Sequence, residues 1–216
     1  MNTNQKTVAC IVAHPDAETL WAGGTIMSHP SWKVFVVSVF KGNNPDSASM
    51  FNKALKNLKS EGIMGNLDDS SEQKPKDEKL IKKTILNLLP AKHFDMIISH
   101  NPSSEFMENS CNEVVGKAVI KLWNSGKISA DQLWNFAYED GEKEYYPEAV
   151  NPASFYQLLK KEIWMKKYKI ITETYGFRQN SWEAETTPRA EAFWQTSKFR
   201  DARKWLLQPK KELIFQ

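Results

Sequence analysis

The chain has only two cysteines, Cys10 and Cys111, in 216 residues. They lie far apart and form no CxxC pair and no zinc-ribbon spacing, which removes the usual thiol redox and cysteine-built structural metal motifs. Cys10 sits inside an apolar run and reads as a small buried hydrophobe. Nowhere do about 18 apolar residues run together, so no membrane-spanning helix is expected. The opening MNTNQKTVACIVAH carries one early lysine, a short apolar run and no small-residue cleavage site, and so does not read as a secretory signal. A cytoplasmic protein is the expectation. There is no basic cluster either: net charge is +3, and the Lys-Lys pairs at 82–83, 160–161, 166–167 and 210–211 are interrupted by acidic and apolar residues. They describe a solvated mixed-charge surface, and no nucleic-acid partner is expected. No GxGxxG or GxxxxGK[ST] spacing occurs. Gly23 and Gly24 follow too late after the first turn to free the backbone N–H groups that a phosphate cradle needs.

The remaining composition is that of a globular chain, with 41% apolar, 25% charged and 12% aromatic residues, and the length suits one domain spanning 1–216. Thr7 to Ala13 and Lys33 to Phe40 are short β-branched apolar runs of the kind shown by buried parallel strands. Asp95 to Ser99 and Gln132 to Tyr138 read as further strands. Helical stripes occupy Glu18–Met27, Ser47–Ser60, Leu80–Leu89, Glu113–Trp123 and Ile163–Tyr175. Ser181–Phe193 fits no clear period, Asn66–Asp77 reads as a loop, and Glu139–Pro152 reads as a surface excursion. Alternating strands and helices imply an α/β fold, a Rossmann-like, mostly parallel sheet with helices on both faces. In such sheets ligands bind beyond the carboxyl ends of the strands. The site is therefore expected where loop 14–17 meets loop 100–112.

The first of these loops holds His14-Pro15-Asp16-Ala17-Glu18. An imidazole and a carboxylate two residues apart at a strand end can serve a hydrolytic metal site, with His14 as ligand and Asp16 as the base for metal-bound water. The same residues also suit a plainer arrangement, in which Asp16 caps the following helix and His14 is a polar turn residue.

The longer string from His14 to Ile26, HPDAETLWAGGTI, resembles the signature of the LmbE/PIG-L family of zinc-dependent N-deacetylases, whose usual form is HPDDETLWAGGTI. Resemblance continues through Asn44–Asp46, Gly65–Asp69, Phe136–Gly141, Ile170–Phe177 and Ser181–Ala184 to Phe193–Trp194. It spans residues 7 to 195, leaving the tail 196–216 unassigned. It implies a Rossmann-like fold, one zinc ion and hydrolysis of the acetamide of N-acetylglucosamine-type conjugates, so that a small N-acetylated sugar conjugate is the expected partner. It makes His14 a zinc ligand and Asp16 the general base. Ala17 stands where the family has a zinc-binding aspartate. The second family motif, an HxxH pair with one zinc ligand and one oxyanion-stabilising histidine, falls on Asn109 and Asn112, with Asn112 at the ligand position; a shift of one residue puts Glu108 and Cys111 there instead.

Two of the three protein ligands are thus replaced. At about 3–4 kcal/mol per ligand this removes about 6–8 kcal/mol, on the order of 10⁴ to 10⁶ in affinity, so zinc is expected to be absent or weakly bound. Changes at several positions together point to natural decay of the site rather than a single engineered inactivation. Glu18, Trp21, Lys41, Asp46, Asp69 and Glu105 are the candidates to hold a sugar, Trp21 alternatively as a core aromatic. A competing reading rebuilds a metal site from Glu18, Glu105, Glu108 and Cys111 with His14 and Asp16, and His100 is a further candidate. A third treats the fold as a scaffold whose eight tryptophans supply an interface.

Overall fold

In the computed structural model, residues 5–69, 77–102 and 110–206 are described. Strand β1 (Thr7–Val12) leads into helix α1 (Ala17–Ser28), and β2 (Lys33–Phe40) into α2 (Pro45–Leu58). Then come β3 (Glu61–Leu67), α3 (Glu78–Leu88), β4 (His93–Ser99), α4 (Ser110–Asn124) and β5 (Ser129–Phe136). These five strands are parallel, in the order β3-β2-β1-β4-β5. Two further strands, β8 (Phe155–Leu158) and β9 (Ala190–Thr196), complete a seven-stranded sheet. β9 runs antiparallel to β5, and β8 runs antiparallel to β9. A small hairpin of β6 (Tyr138–Glu139) and β7 (Glu148–Ala149) stands apart from the sheet.

The period-2 alternation of β1 sorts the core into two layers. Val8, Cys10 and Val12 pack with Leu20, Trp21 and Ile26 of α1 and with Phe51, Ala54, Leu55 and Leu58 of α2. Ala9 and Ile11 pack on the other face with Ile81 and Ile85 of α3 and Val115, Ala118 and Val119 of α4. A last helix, α7 (Phe199–Trp205), lies within the stretch of sequence left unassigned and adds Ala202 to that second layer. Cys10 is fully buried, as its apolar neighbours imply. Among the described residues no helix is long and apolar enough to cross a membrane.

Strand β3 is absent from the sequence reading, and its composition explains why. Glu61–Leu67 lies at the sheet edge, is mostly exposed or half-buried, and carries two glycines. Those glycines are what permit pairing with β2: a Cβ at Gly62 would sit 2.5 Å from the Val36 carbonyl oxygen, and one at Gly65 equally close to that of Val39. The ambiguous Ser181–Phe193 stretch divides into a one-turn helix, α6 (Trp182–Thr186), and the start of β9. The helix expected over Ile163–Tyr175 is α5 (Lys161–Lys169), which passes directly into a π-helical segment, Ile170–Thr174.

Helix α1 is anchored from below by a buried ion pair. Lys167 of α5 and Glu191 of β9 are both inaccessible, with Nζ 2.7 Å from Oε1. The Glu191 carboxylate also accepts the N–H groups of Gly24 (2.8 Å) and Thr25 (2.6 Å). Gly24 permits this approach, because a Cβ there would collide with Leu159. The pair thus fixes α1, and with it the loop before α1, against the far half of the sheet.

Candidate functional site

The carboxyl ends of β1, β2 and β3 are followed by His14, Lys41 and Asp69. The three converge. His14 Nε2 lies 3.1 Å from Asp69 Oδ2, and Lys41 Nζ is 3.3 Å from the same oxygen. The His14 ring stacks on Phe40 with centroids 5.4 Å apart. Lys41 turns its backbone into the left-handed region, at φ 66°, to leave β2 towards this point.

Asp16 occupies the residue before α1 at φ 102°, a conformation a non-glycine residue holds only at a cost of about 1–3 kcal/mol. Its side chain makes no capping hydrogen bond, so the plainer reading of Asp16 as a helix cap does not hold. Glu18 supplies the contact instead, its Oε2 accepting the Asp16 N–H at 3.0 Å. Burial pushes the half-buried Asp16 carboxyl well above the ordinary carboxylate range, and the neighbouring charges of Glu18 and Glu183 add to this against the pull of Lys41.

Glu18 is fully buried, and its Oε1 accepts hydrogen bonds from the Thr19 hydroxyl (2.6 Å) and the Tyr175 hydroxyl (2.7 Å). Burial raises its pKa, and the two hydroxyl donors hold it down in part. The π-helical turn before Tyr175 bears on this contact. An i→i+5 bond from the Tyr175 N–H to the Ile170 carbonyl (2.9 Å) resets the helical phase just before the ring that reaches Glu18. Tyr175 and Glu183 have no role in the sequence reading. Tyr175 closes a stretch read as helical and Glu183 lies in one of unclear period, and neither motif marks them by residue type.

His100, at the start of the second expected loop, reaches the end of the first strand at Ala13. His100 is 2% exposed, and its Nε2 accepts the Ala13 N–H at 3.0 Å. Burial, helped by His14, lowers its pKa to about 3, so the ring is neutral and holds the β1 loop as an acceptor. Its carbonyl accepts from Asn135 at 2.6 Å.

The other candidates are dispersed. Trp21 is 2% exposed, with its ring 4.6 Å from Tyr138 and 6.2 Å from Trp182, and belongs to the core. Asp46 is exposed in the first turn of α2. Ala17 is buried in the α1 layer and Cys111 in the α4 layer, while Asn112 is half-buried on the first turn of α4. Glu105, Glu108 and Asn109 lie outside the described residues. Among the described residues, no three His, Cys, Asp or Glu side chains are grouped to hold a metal ion. Position 17 carries a methyl, position 112 carries an amide, and His14 faces Asp69.

No family model matches the chain. An uncharacterised protein of Acanthamoeba polyphaga mimivirus is 22% identical over 183 residues, covering 77% of this chain and 74% of the relative. Among solved structures, the N,N'-diacetylchitobiose deacetylase of Pyrococcus horikoshii superposes with a TM-score of 0.70 at 15% identity, over 98% of this chain and 90% of that one. GalB, the 4-carboxy-2-hydroxymuconate hydratase of Pseudomonas putida, superposes at 0.60 and 15% identity, over 88% and 96%. The fold is thus the LmbE/PIG-L-like α/β fold of this deacetylase. That a hydratase shares it shows that the fold alone does not fix the reaction.

Proposed function

We propose that this chain is a catalytically impaired relative of the LmbE/PIG-L-type N-deacetylases, one domain whose cleft binds an N-acetylated sugar without hydrolysing it. The observation that carries the reading is the His14–Asp69–Lys41 convergence. The one zinc-ligand position retained from the family pattern faces a carboxylate and an ammonium where a metal would be needed. With Ala17 contributing no donor atom, no metal-binding group among the described residues is left to acidify a water for Asp16 to deprotonate. What the three loops still offer is an imidazole, a carboxylate and an ammonium at the strand ends, a polar set suited to sugar hydroxyls.

The test uses N,N'-diacetylchitobiose, followed by calorimetry and by acetate release. Saturable binding without acetate release, weakened about tenfold in Asp69→Ala, is the expected result. Catalytic acetate release would contradict the reading and favour a site rebuilt with Glu105 and Glu108. No binding in either protein would leave the fold as a scaffold.

A further inference from the structure

A second hollow lies at the same end of the sheet as His14. β8 runs parallel to β5, so Leu158 at its end and Ala190 at the start of β9 also lie beyond the carboxyl edge of the sheet, at its opposite margin. There a cavity of about 1120 Å³ opens between the β6–β7 excursion, β8, α5 and the 182–190 segment. Eight large hydrophobic side chains are exposed among the described residues, and four of them line this cavity: Tyr145, Tyr146, Tyr156 and Leu158, at 42% to 70% accessibility. Exposed apolar surface gathered in one concavity marks a binding surface, whereas scattered single residues do not.

Both walls are aromatic and both are braced. On one side the Arg189 guanidinium lies 3.9 Å from the centre of the Trp164 ring, which stacks on Tyr168 at 5.3 Å. Trp164 is further held by its Nε1–H, which donates to the Thr187 carbonyl at 3.1 Å. On the other side Tyr145 lies against Gly141, where φ is +57° and a Cβ would run into the phenol ring. The rim carries Glu144, Glu148 and Glu185 against Lys143 and Arg189, with Asp140 buried in the lining. Its negative field is felt at Tyr145, whose phenol is raised by partial burial and by Glu139, Glu148, Asp140 and Glu144.

We propose that this groove is a second ligand site, separate from the His14 cleft, that binds a short oligosaccharide of free amino sugars. Aromatic faces take the C–H faces of sugar rings, and tyrosine faces attract an ammonium group. The rim carboxylates add charge-assisted hydrogen bonds to that ammonium, and Arg189 and Lys143 can donate to hydroxyls. The volume exceeds what a single small ligand fills, which suits several linked rings. The choice of a sugar rests on the carbohydrate reading of the cleft; the choice of a cation rests on the rim alone.

The probes are a glucosamine tetrasaccharide, its N-acetylated counterpart and tetralysine, titrated into the intact chain and into three variants. The free-amine sugar should bind about tenfold more tightly than the acetylated one. Glu148→Gln and Tyr156→Ala, both at exposed positions, should each weaken it about tenfold, and His14→Ala should leave it unchanged. Equal affinity for the two sugars, absence of binding, or indifference to both groove variants would overturn the proposal. So would loss in His14→Ala alone, which would place all sugar binding in the first cleft, and so would tetralysine binding as tightly. Failure of the acetylated sugar at the His14 cleft, with the free-amine result intact, would count against the proposed function and not against the groove.

Discussion

His14 Nε2 and Asp69 Oδ2 stand 3.1 Å apart, across the ends of the first and third strands of the sheet. Lys41, from the end of the strand between them, approaches the same oxygen at 3.3 Å. Three successive parallel strands thus deliver one cation, one carboxylate and one imidazole to a single point. The side chains are only partly buried, 18% exposed for His14 and 27% for Asp69, so the set contributes little to stability. Its significance is that it gives the His14 ring an acidic partner at the strand ends.

The Tyr175–Glu18 hydrogen bond is the more structural contact. Tyr175→Phe removes one of the two hydroxyl donors from a carboxylate with no solvent access. A loss of about 1–3 kcal/mol is expected, the cost of leaving a buried acceptor short of a partner. Urea unfolding of the two proteins checks it, and an unchanged midpoint would show that the Glu18 oxygen finds another donor.

The Lys167–Glu191 pair should be costlier to break than to replace. Lys167→Met leaves Glu191 buried with only the Gly24 and Thr25 N–H groups, and about 3–5 kcal/mol of stability should go with it. Lys167→Met with Glu191→Gln should recover part of the loss, since it removes the buried charge, although the single glutamine oxygen replaces two carboxylate oxygens that each accept one N–H. Thermal and denaturant melts of the single and double variants provide the comparison.

His100 gives the fold an acid-side weakness. Its pKa is about 3 in the folded chain against 6.5 for the free side chain. Between those values the unfolded chain binds a proton that the native one refuses, so this contribution is complete above pH 6.5 and is lost as pH falls towards 3. Its full size is on the order of 5 kcal/mol. Asp16 and Glu18 act in the opposite sense. Their folded pKa values are raised, so the unfolded chain gives up its protons first and their penalty grows as pH rises through the ordinary carboxylate range. His100→Gln keeps an acceptor for the Ala13 N–H and removes only the titration. Its stability should fall less steeply than the wild type's from pH 6.5 to 4, and parallel curves would contradict the assignment.

The central sheet was legible because its strands are buried on both faces and therefore read as unbroken apolar runs. β2 occupies Lys33–Phe40, the run itself, and β1 ends one residue short of the run that marks it. β3, β8 and the β6–β7 hairpin escaped for the converse reason: they lie at the sheet edge or outside it, are short or glycine-bearing, and alternate weakly. Of the site, His14 and Asp16 were legible from spacing and from the long motif, and Lys41 and Asp69 from their positions at loop ends. Their convergence was not, since it depends on register across three strands. The role of Tyr175 was hidden as well: its stretch read as an ordinary helical stripe, and the π-helical turn that bears on its contact with Glu18 does not show in that pattern.

Zinc stoichiometry tests the account most directly. Elemental analysis of protein purified without chelator or affinity-tag metal, followed by calorimetric titration with zinc, should give well under one zinc per chain and no binding tighter than about micromolar. One tightly held zinc per chain would contradict the account and would direct mutagenesis to Glu105, Glu108 and Cys111 as the ligands that rebuilt the site.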